Sequence, residues 1–194
     1  MTTMNYTETQ ENILNAAESL IQKRGYNAFS YKDISAIVGI KTSSIHYHYP
    51  SKEDLAVAVI DWQLHKIVTP LDEIKGQKEL SAKEKLIALI DAITALTYND
   101  EKKMCLGGML ASDALSLPES VQSKARYFFN ILYYWIEEVL AAGRLLGEVN
   151  LLYPIDDFAH YLILQIEGSL LMSRLYGDAA DINLVKQFIN HVMM

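Results

Sequence analysis

The sequence predicts an all-α protein of nine helices, with a three-helix helix-turn-helix domain over residues 1–50 and a larger helical domain over 51–194. Three observations lead there. Apolar residues recur at i, i+3, i+4 spacing, and no alternating stretch is long enough for a sheet. Helix starts of the form Ser followed three residues later by an acid (Ser30/Asp33, Ser51/Asp54, Ser81/Glu84) alternate with glycine and proline stops. Residues 30–55, SYKDISAIVGIKTSSIHYHYPSKEDL, hold two short helical segments on either side of a glycine turn.

In order along the chain, Glu8, Glu11 and Glu18 fall on the first helix. Ser30 with Asp33 is a capping-box start, the hydroxyl accepting from a first-turn amide and the carboxylate reaching back to the cap. A short second helix is expected from Tyr31, with Ile34, Ile37 and Val38 as its buried face and Gly39 supplying the positive φ of a tight turn. Ile40 would enter the core between this helix and the third, residues 42–48, which points Ile45 inward. Tyr49 and Pro50 break the third helix, with Tyr49 as a packing residue. Ser51 and Asp54 cap a fourth that starts at Lys52 and is expected to end before Pro70. Ser81 with Glu84 opens the fifth, apolar at 86, 87, 90, 93 and 96, and Asn99 and Asp100 stop it. A sixth is expected over about 102–115, and a seventh from Pro118, a good first-turn proline, to Leu146, where Gly147 ends it. Pro154 opens an eighth that reaches Tyr176, Gly177 punctuates it, and Asp181 is expected to cap the ninth.

The third helix leaves Lys41, Thr42, Ser43, Ser44, His46, Tyr47 and His48 largely outward, a set rich in donors and free of acids. Such a surface suits phosphates and base edges, and the partner it implies is double-stranded DNA. Lys52 lies in the first turn of the fourth helix, where a free amide, the helix dipole and an ammonium can converge on one phosphate. His46 and His48 could suggest a metal, but residues two apart on a helix diverge, so neither metal nor cofactor is expected.

Residues 13–26 (ILNAAESLIQKRGY), 30–40 (SYKDISAIVGI) and 43–55 (SSIHYHYPSKEDL) together resemble the DNA-binding domain of the TetR family of bacterial transcriptional regulators. The resemblance implies that Tyr47, His48 and Lys52 grip the DNA backbone and that Lys32, Thr42, Ser43 and His46 lie nearest the bases. The family pattern has an aromatic where this chain has His46 and a small residue where it has Lys41, two departures that bear on the target sequence. A member of the family is expected to be a ligand-responsive regulator, here a repressor released from a palindromic operator by a small apolar or aromatic effector. Residues 51–194 would then form the effector-binding and dimerisation domain.

Composition narrows the rest. The chain of 194 residues has a formal net charge of −7, unusual for a nucleic-acid binder, but residues 1–66 hold six basic and seven acidic side chains, so the excess acid lies beyond them. The polar start, MTTMNYTETQ, has neither the basic region nor the apolar core of a signal peptide. With one cysteine, Cys105, no internal disulfide can form, and a cytoplasmic protein is expected. Apolar runs such as YLILQIEGSLLM are interrupted by Gln165, Glu167 and Gly168, so no membrane span is expected.

The last two helices carry more apolar residues than one layer needs: Tyr161, Leu162, Leu164, Ile166, Leu170, Leu171 and Leu175, then Leu184, Val185, Phe188, Ile189 and Val192. Gly168 and Ser169 would let another helix approach, so a homodimer through these helices is expected. The effector cavity is expected around the middle helices. Tyr98, Met104, Met109, Phe128, Phe129, Tyr133, Tyr134 and Trp135 supply bulk there, Trp62 and His65 a floor, and Gln165 a further polar group. Taken singly, each of these reads first as plain core, and it is the group together that points to a cavity. Cys105, beside Lys102 and Lys103, reads first as a buried structural thiol and second as a redox or electrophile sensor. A helical ligand-binding protein without DNA binding is the other alternative. An enzyme ranks last, for no nucleophile-base arrangement or phosphate loop is present in the sequence.

Overall fold

Nine α-helices and one short 3₁₀ turn make up the secondary structure of the described residues, with no strand among them. The computed structural model describes residues 6–193, so half of the polar start, residues 1–5, and Met194 lie outside them. The helices are α1 (Glu8–Arg24), α2 (Tyr31–Val38), α3 (Thr42–His48), α4 (Lys52–Gly76), α5 (Ala82–Ala95), α6 (Leu106–Ser112), α7 (Glu119–Leu145), α8 (Ile155–Tyr176) and α9 (Ala180–Val192), with the 3₁₀ turn at Ala114–Ser116.

Four local expectations change. Helix α4 does not stop at Pro70 but runs through it to Gly76. A proline there removes one backbone donor, yet Ile67, Val68 and Leu71 around it are buried, and that packing holds the helix across the gap. Helix α6 starts at Leu106 rather than near residue 102, because Glu101 and Lys102 both take positive φ (60° and 54°), which is incompatible with a right-handed helix. Ile37 is not on the buried face of α2 but is 60% exposed; Tyr31 and Ile34 are the buried residues, with Val38 half-buried. Asp181 does not cap α9. Its start is held by Asp178, whose Oδ1 accepts from the Ala180 N–H at 2.9 Å, leaving Asp181 in the first turn.

The chain packs as two units. The first comprises residues up to Leu64 together with 106–126, so α6, the 3₁₀ turn and the start of α7 belong with α1, α2 and α3. Within it α1 packs on α2 and α6, and α2 on α3, around buried Ile13, Leu14, Ile21, Ile34, Ile45 and Leu55. The second comprises 65–105 and 127–194, where α9 packs on α8 and α5 around Leu86, Ile90, Ile136, Leu162, Ile166 and Ile189. These packing units cut across the 1–50 and 51–194 division that the sequence suggests.

The second unit contains one close approach. A Cβ at Gly143 would lie 2.6 Å from both Ala82 Cβ and Val149 Cγ2, closer than any ordinary carbon contact. Gly143→Ala is therefore expected to destabilise the chain by about 1–3 kcal/mol through overpacking, read as a lower urea midpoint.

Candidate nucleic-acid interface and ligand region

A short loop and two hydrogen bonds build the interface. Gly39, at φ 76°, turns the chain after α2, and the Ser35 hydroxyl donates to the Ile40 carbonyl across the turn. The Tyr31 hydroxyl, at the start of α2, donates to the Tyr49 carbonyl at the end of α3 (2.8 Å), and burial pushes that phenol up to about 12. Ile45 is fully buried between them and Tyr49 is buried beside α3, as expected of a packing residue. Ile40 is half-buried.

With Ile45 inward, Lys41, Ser43, Ser44, His46 and Tyr47 are exposed, and Thr42 and His48 are half-buried. Tyr47 is 83% exposed, an aromatic ring held out with its edge against His48 at 5.1 Å. His46 lies 4.5 Å from the Tyr31 ring, and its Nδ1 is 3.2 Å from the Pro50 carbonyl oxygen. A carbonyl can only accept, so Nδ1 carries the proton there and Nε2 is left for an outside partner. Lys32 is exposed on the first turn of α2, where Asp33 accepts from both the backbone N–H and the hydroxyl of Ser30 at 2.7 Å.

Lys52 is placed differently from the others. At the head of α4, which Ser51 and Asp54 cap reciprocally, its ammonium turns back to donate to the Phe29 carbonyl and lies 4.1 Å from the Phe29 ring and 4.8 Å from the Tyr26 ring. Burial lowers its pKa, against the opposing pull of Asp33 and Asp113. Lys52 thus ties α4 to the loop between α1 and α2, and would have to leave these partners to reach a phosphate.

A feature invisible in the sequence lies in the same unit. The Asp113 carboxylate, just after α6, accepts from the Tyr26 N–H at 2.7 Å, and Asn27 Nδ2 donates to Ser116 Oγ at 2.7 Å. Ser120 donates to Glu53, and Lys124 pairs with Asp61 at 2.6 Å. Residues 106–126 are therefore stitched to the α1–α2 loop and to α4. Partners 87 positions apart leave no local pattern to find.

The nine ligand candidates divide between the units. Trp62 and Met109 belong to the first, where the Trp62 indole donates to Asn15 Oδ1 at 2.9 Å and meets the Tyr6 ring edge-on at 5.6 Å. In the second, Phe128, Met104 and Trp135 are buried, and the Trp135 indole donates to the Leu71 carbonyl at 3.1 Å. His65, Tyr98 and Tyr133 are half-buried, and Tyr133 stacks on His160 at 4.0 Å and more loosely on Phe129. Tyr134, by contrast, is exposed. Gln165 lines two clefts. One of 380 Å³ lies between α8 and α9 beside Gly168, Ser169 and Leu184; the other, of 560 Å³, is bordered by Tyr153, Phe158, Tyr161 and Phe188.

Cys105 is buried and its thiol hydrogen-bonds to the Glu167 carboxyl, while Lys102 donates to the Gly177 carbonyl and Lys103 pairs with Asp100. Each of these placements agrees with a structural thiol. Glu167 was not expected at any site. Burial pushes its carboxyl up to about 7, with the Cys105 hydrogen bond opposing the rise, and its Oε2 is buried without a partner. An unsatisfied buried polar atom costs about 1–3 kcal/mol.

A carboxyl whose folded pKa is raised supports stability below its ordinary value and loses that support as pH rises through the folded value. Glu167→Gln, which cannot ionise, is therefore expected to gain urea resistance over the wild type at pH 8, with the gap narrowing toward pH 5. A gap independent of pH would exclude burial of the charge as the cause.

Comparison with known proteins agrees with this architecture. Residues 13–59 match the family model of bacterial regulatory proteins, tetR family. An HTH-type transcriptional regulator from the lacX 3′ region of Lactococcus lactis subsp. lactis is 31% identical over 189 residues, covering 92% of this chain and 89% of its own. Among solved structures, a TetR transcriptional regulator from Legionella pneumophila superposes with a TM-score of 0.90 at 48% identity, covering 98% of this chain and 100% of its own. A TetR-family regulator from Agrobacterium tumefaciens gives 0.89 at 30% identity, covering 96% and 98%. Among the described residues no helix is long and apolar enough to cross a membrane. Sequence, helix order and relatives agree that this chain belongs to the TetR family of bacterial transcriptional regulators.

Proposed function

We propose that the protein is a ligand-responsive repressor that holds a palindromic operator as a homodimer in the cytoplasm and releases it when a small apolar or aromatic effector binds. The observation that carries the reading is the outward face of α3, where one buried anchor, Ile45, presents an exposed set of donors without an acid. In this reading residues 1–50 contact DNA and 51–194 bind the effector and dimerise. Thr42, Ser43, His46 and Lys32 read bases, while Tyr47, His48 and Lys52 take the backbone, with Lys41 and Ser44 exposed beside them.

The surface of α8 and α9 supports the dimer. Leu164, Leu171 and Leu175 of α8, with Leu184 of α9, are all more than half exposed, flanking the groove beside Gly168 and Ser169. A second copy would cover an apolar area that water otherwise wets. Effector binding needs only to favour a state that the operator disfavours, and a coupling of about 1–3 kcal/mol changes affinity roughly 5- to 150-fold. The hydrogen bonds of Asp113 and Ser116, together with α4, offer the route by which residues 106–126 would pass a displacement to α3.

Gel-shift titrations on operator and scrambled duplexes test the DNA roles. Lys52→Ala is expected to weaken binding to both duplexes equally and to flatten the salt dependence by a log-log slope of roughly 0.9, whereas Ser43→Ala changes preference between sequences. A sequence-selective loss at Lys52 overturns its assignment. Leu171→Glu is expected to sediment as a monomer and to lose operator binding; a dimer that persists moves the interface elsewhere.

A further inference from the structure

A cavity of 380 Å³ in the second unit shares no residue with the DNA-facing face, the effector candidates or the exposed leucines of α8 and α9. The end of α4, the loop that leads into α5, the first turn of α5 and the end of α7 enclose it. Ala82 and Gly143 line it where α5 and α7 approach so closely that a Cβ at Gly143 has no room. Leu80, Val139, Ala142 and Leu146 give it an apolar side, and Leu146 is 73% exposed, so water wets part of that side. Three lysines and two glutamates supply its charges.

Those charges are unevenly used. Glu138 accepts from Lys75 at 2.6 Å, and Glu148 accepts from the Ala82 N–H at 2.9 Å, so both acids are engaged. Lys75 is held further by Asp72 at 3.3 Å. Lys78 and Lys85, by contrast, take part in no ion pair or hydrogen bond among the described residues, and Lys85 is half-buried. Two unengaged ammoniums beside an apolar wall suit a molecule with an acid at one end and hydrocarbon at the other, since a charge-assisted hydrogen bond is stronger than a neutral one and each methylene taken from water adds affinity. We propose that this cavity binds a small carboxylic acid with an apolar tail, its carboxylate held by Lys78 and Lys85 and its tail laid against Leu80, Val139, Ala142 and Leu146. The balance of charge favours a carboxylate over a phosphate. Three lysines against two glutamates leave the lining one positive charge, which a monoanion balances and a dianion exceeds. The volume lies within the range of small-molecule sites, about 300–1,000 Å³.

The test is calorimetric titration of the DNA-free full-length chain with octanoate, 1-octanol, acetate and octyl phosphate. Octanoate is expected to bind at least about tenfold tighter than 1-octanol, which lacks the charge, and than acetate, which lacks the tail. Octyl phosphate is expected to bind more weakly than octanoate, because its second charge meets no partner. Lys78→Met and Lys85→Met, which keep an apolar stem and remove the ammonium, should each weaken octanoate binding about fivefold or more while leaving 1-octanol unchanged. Ala142→Phe, at an exposed position of α7, fills the cavity and should abolish octanoate binding. Octanoate no tighter than 1-octanol or acetate, octyl phosphate tighter than octanoate, binding of none of the probes, or an octanoate affinity that the lysine substitutions or Ala142→Phe leave unmoved overturns the proposal. None of these outcomes depends on operator binding, so the site stands or falls apart from the repressor reading.

Discussion

A helix of seven residues has no stability of its own in water, since nucleation costs more than so few hydrogen bonds return. Helix α3 therefore exists because Ile45 is fully buried and because the Tyr31 hydroxyl holds the Tyr49 carbonyl at its far end. Burial of one such side chain contributes about 1.5–3 kcal/mol, and the buried hydrogen bond about 1 kcal/mol more. Every outward group of the interface inherits its direction from that anchoring. Lys41, Ser43, Ser44, His46 and Tyr47 are exposed as a set because the one apolar residue among them points the other way.

The same economy governs the surroundings of α3. Lys52, which sequence places in an electrostatic role, spends its ammonium on the Phe29 carbonyl and two rings, so the side chain fixes the head of α4 and would have to leave those partners to meet a phosphate. Residues 106–126 are joined to this region through Asp113, Ser116, Ser120 and Lys124. The α1–α2 loop and the start of α4 are thus tied to a segment far along the chain.

In the second unit, apolar and polar residues depart from the simplest packing in opposite ways. Helices α8 and α9 expose leucines that a monomer would bury, while Glu167 buries a carboxyl that a monomer would expose. Each departure has a cost in the isolated chain: water wets the leucines, and Glu167 Oε2 is left without a partner.

Much of the fold was legible because it is written locally. Capping pairs three residues apart, the turn glycine Gly39 and the Gly177 stop encode themselves in neighbouring positions, and so did the length of α3 and its outward donors. Pro70 misled because its cost is local and the packing of Ile67, Val68 and Leu71 that overrides it is not. Ile37 misled because periodicity gives a face its width but does not say where the neighbouring helix ends. The sequence by itself determined the helix-turn-helix and the family, since those depend on short-range hydrogen bonding and spacing. Only the tertiary structure decided the partners of Lys52, Asp113 and Glu167, because burial and hydrogen bonding between residues dozens of positions apart are properties of the folded chain.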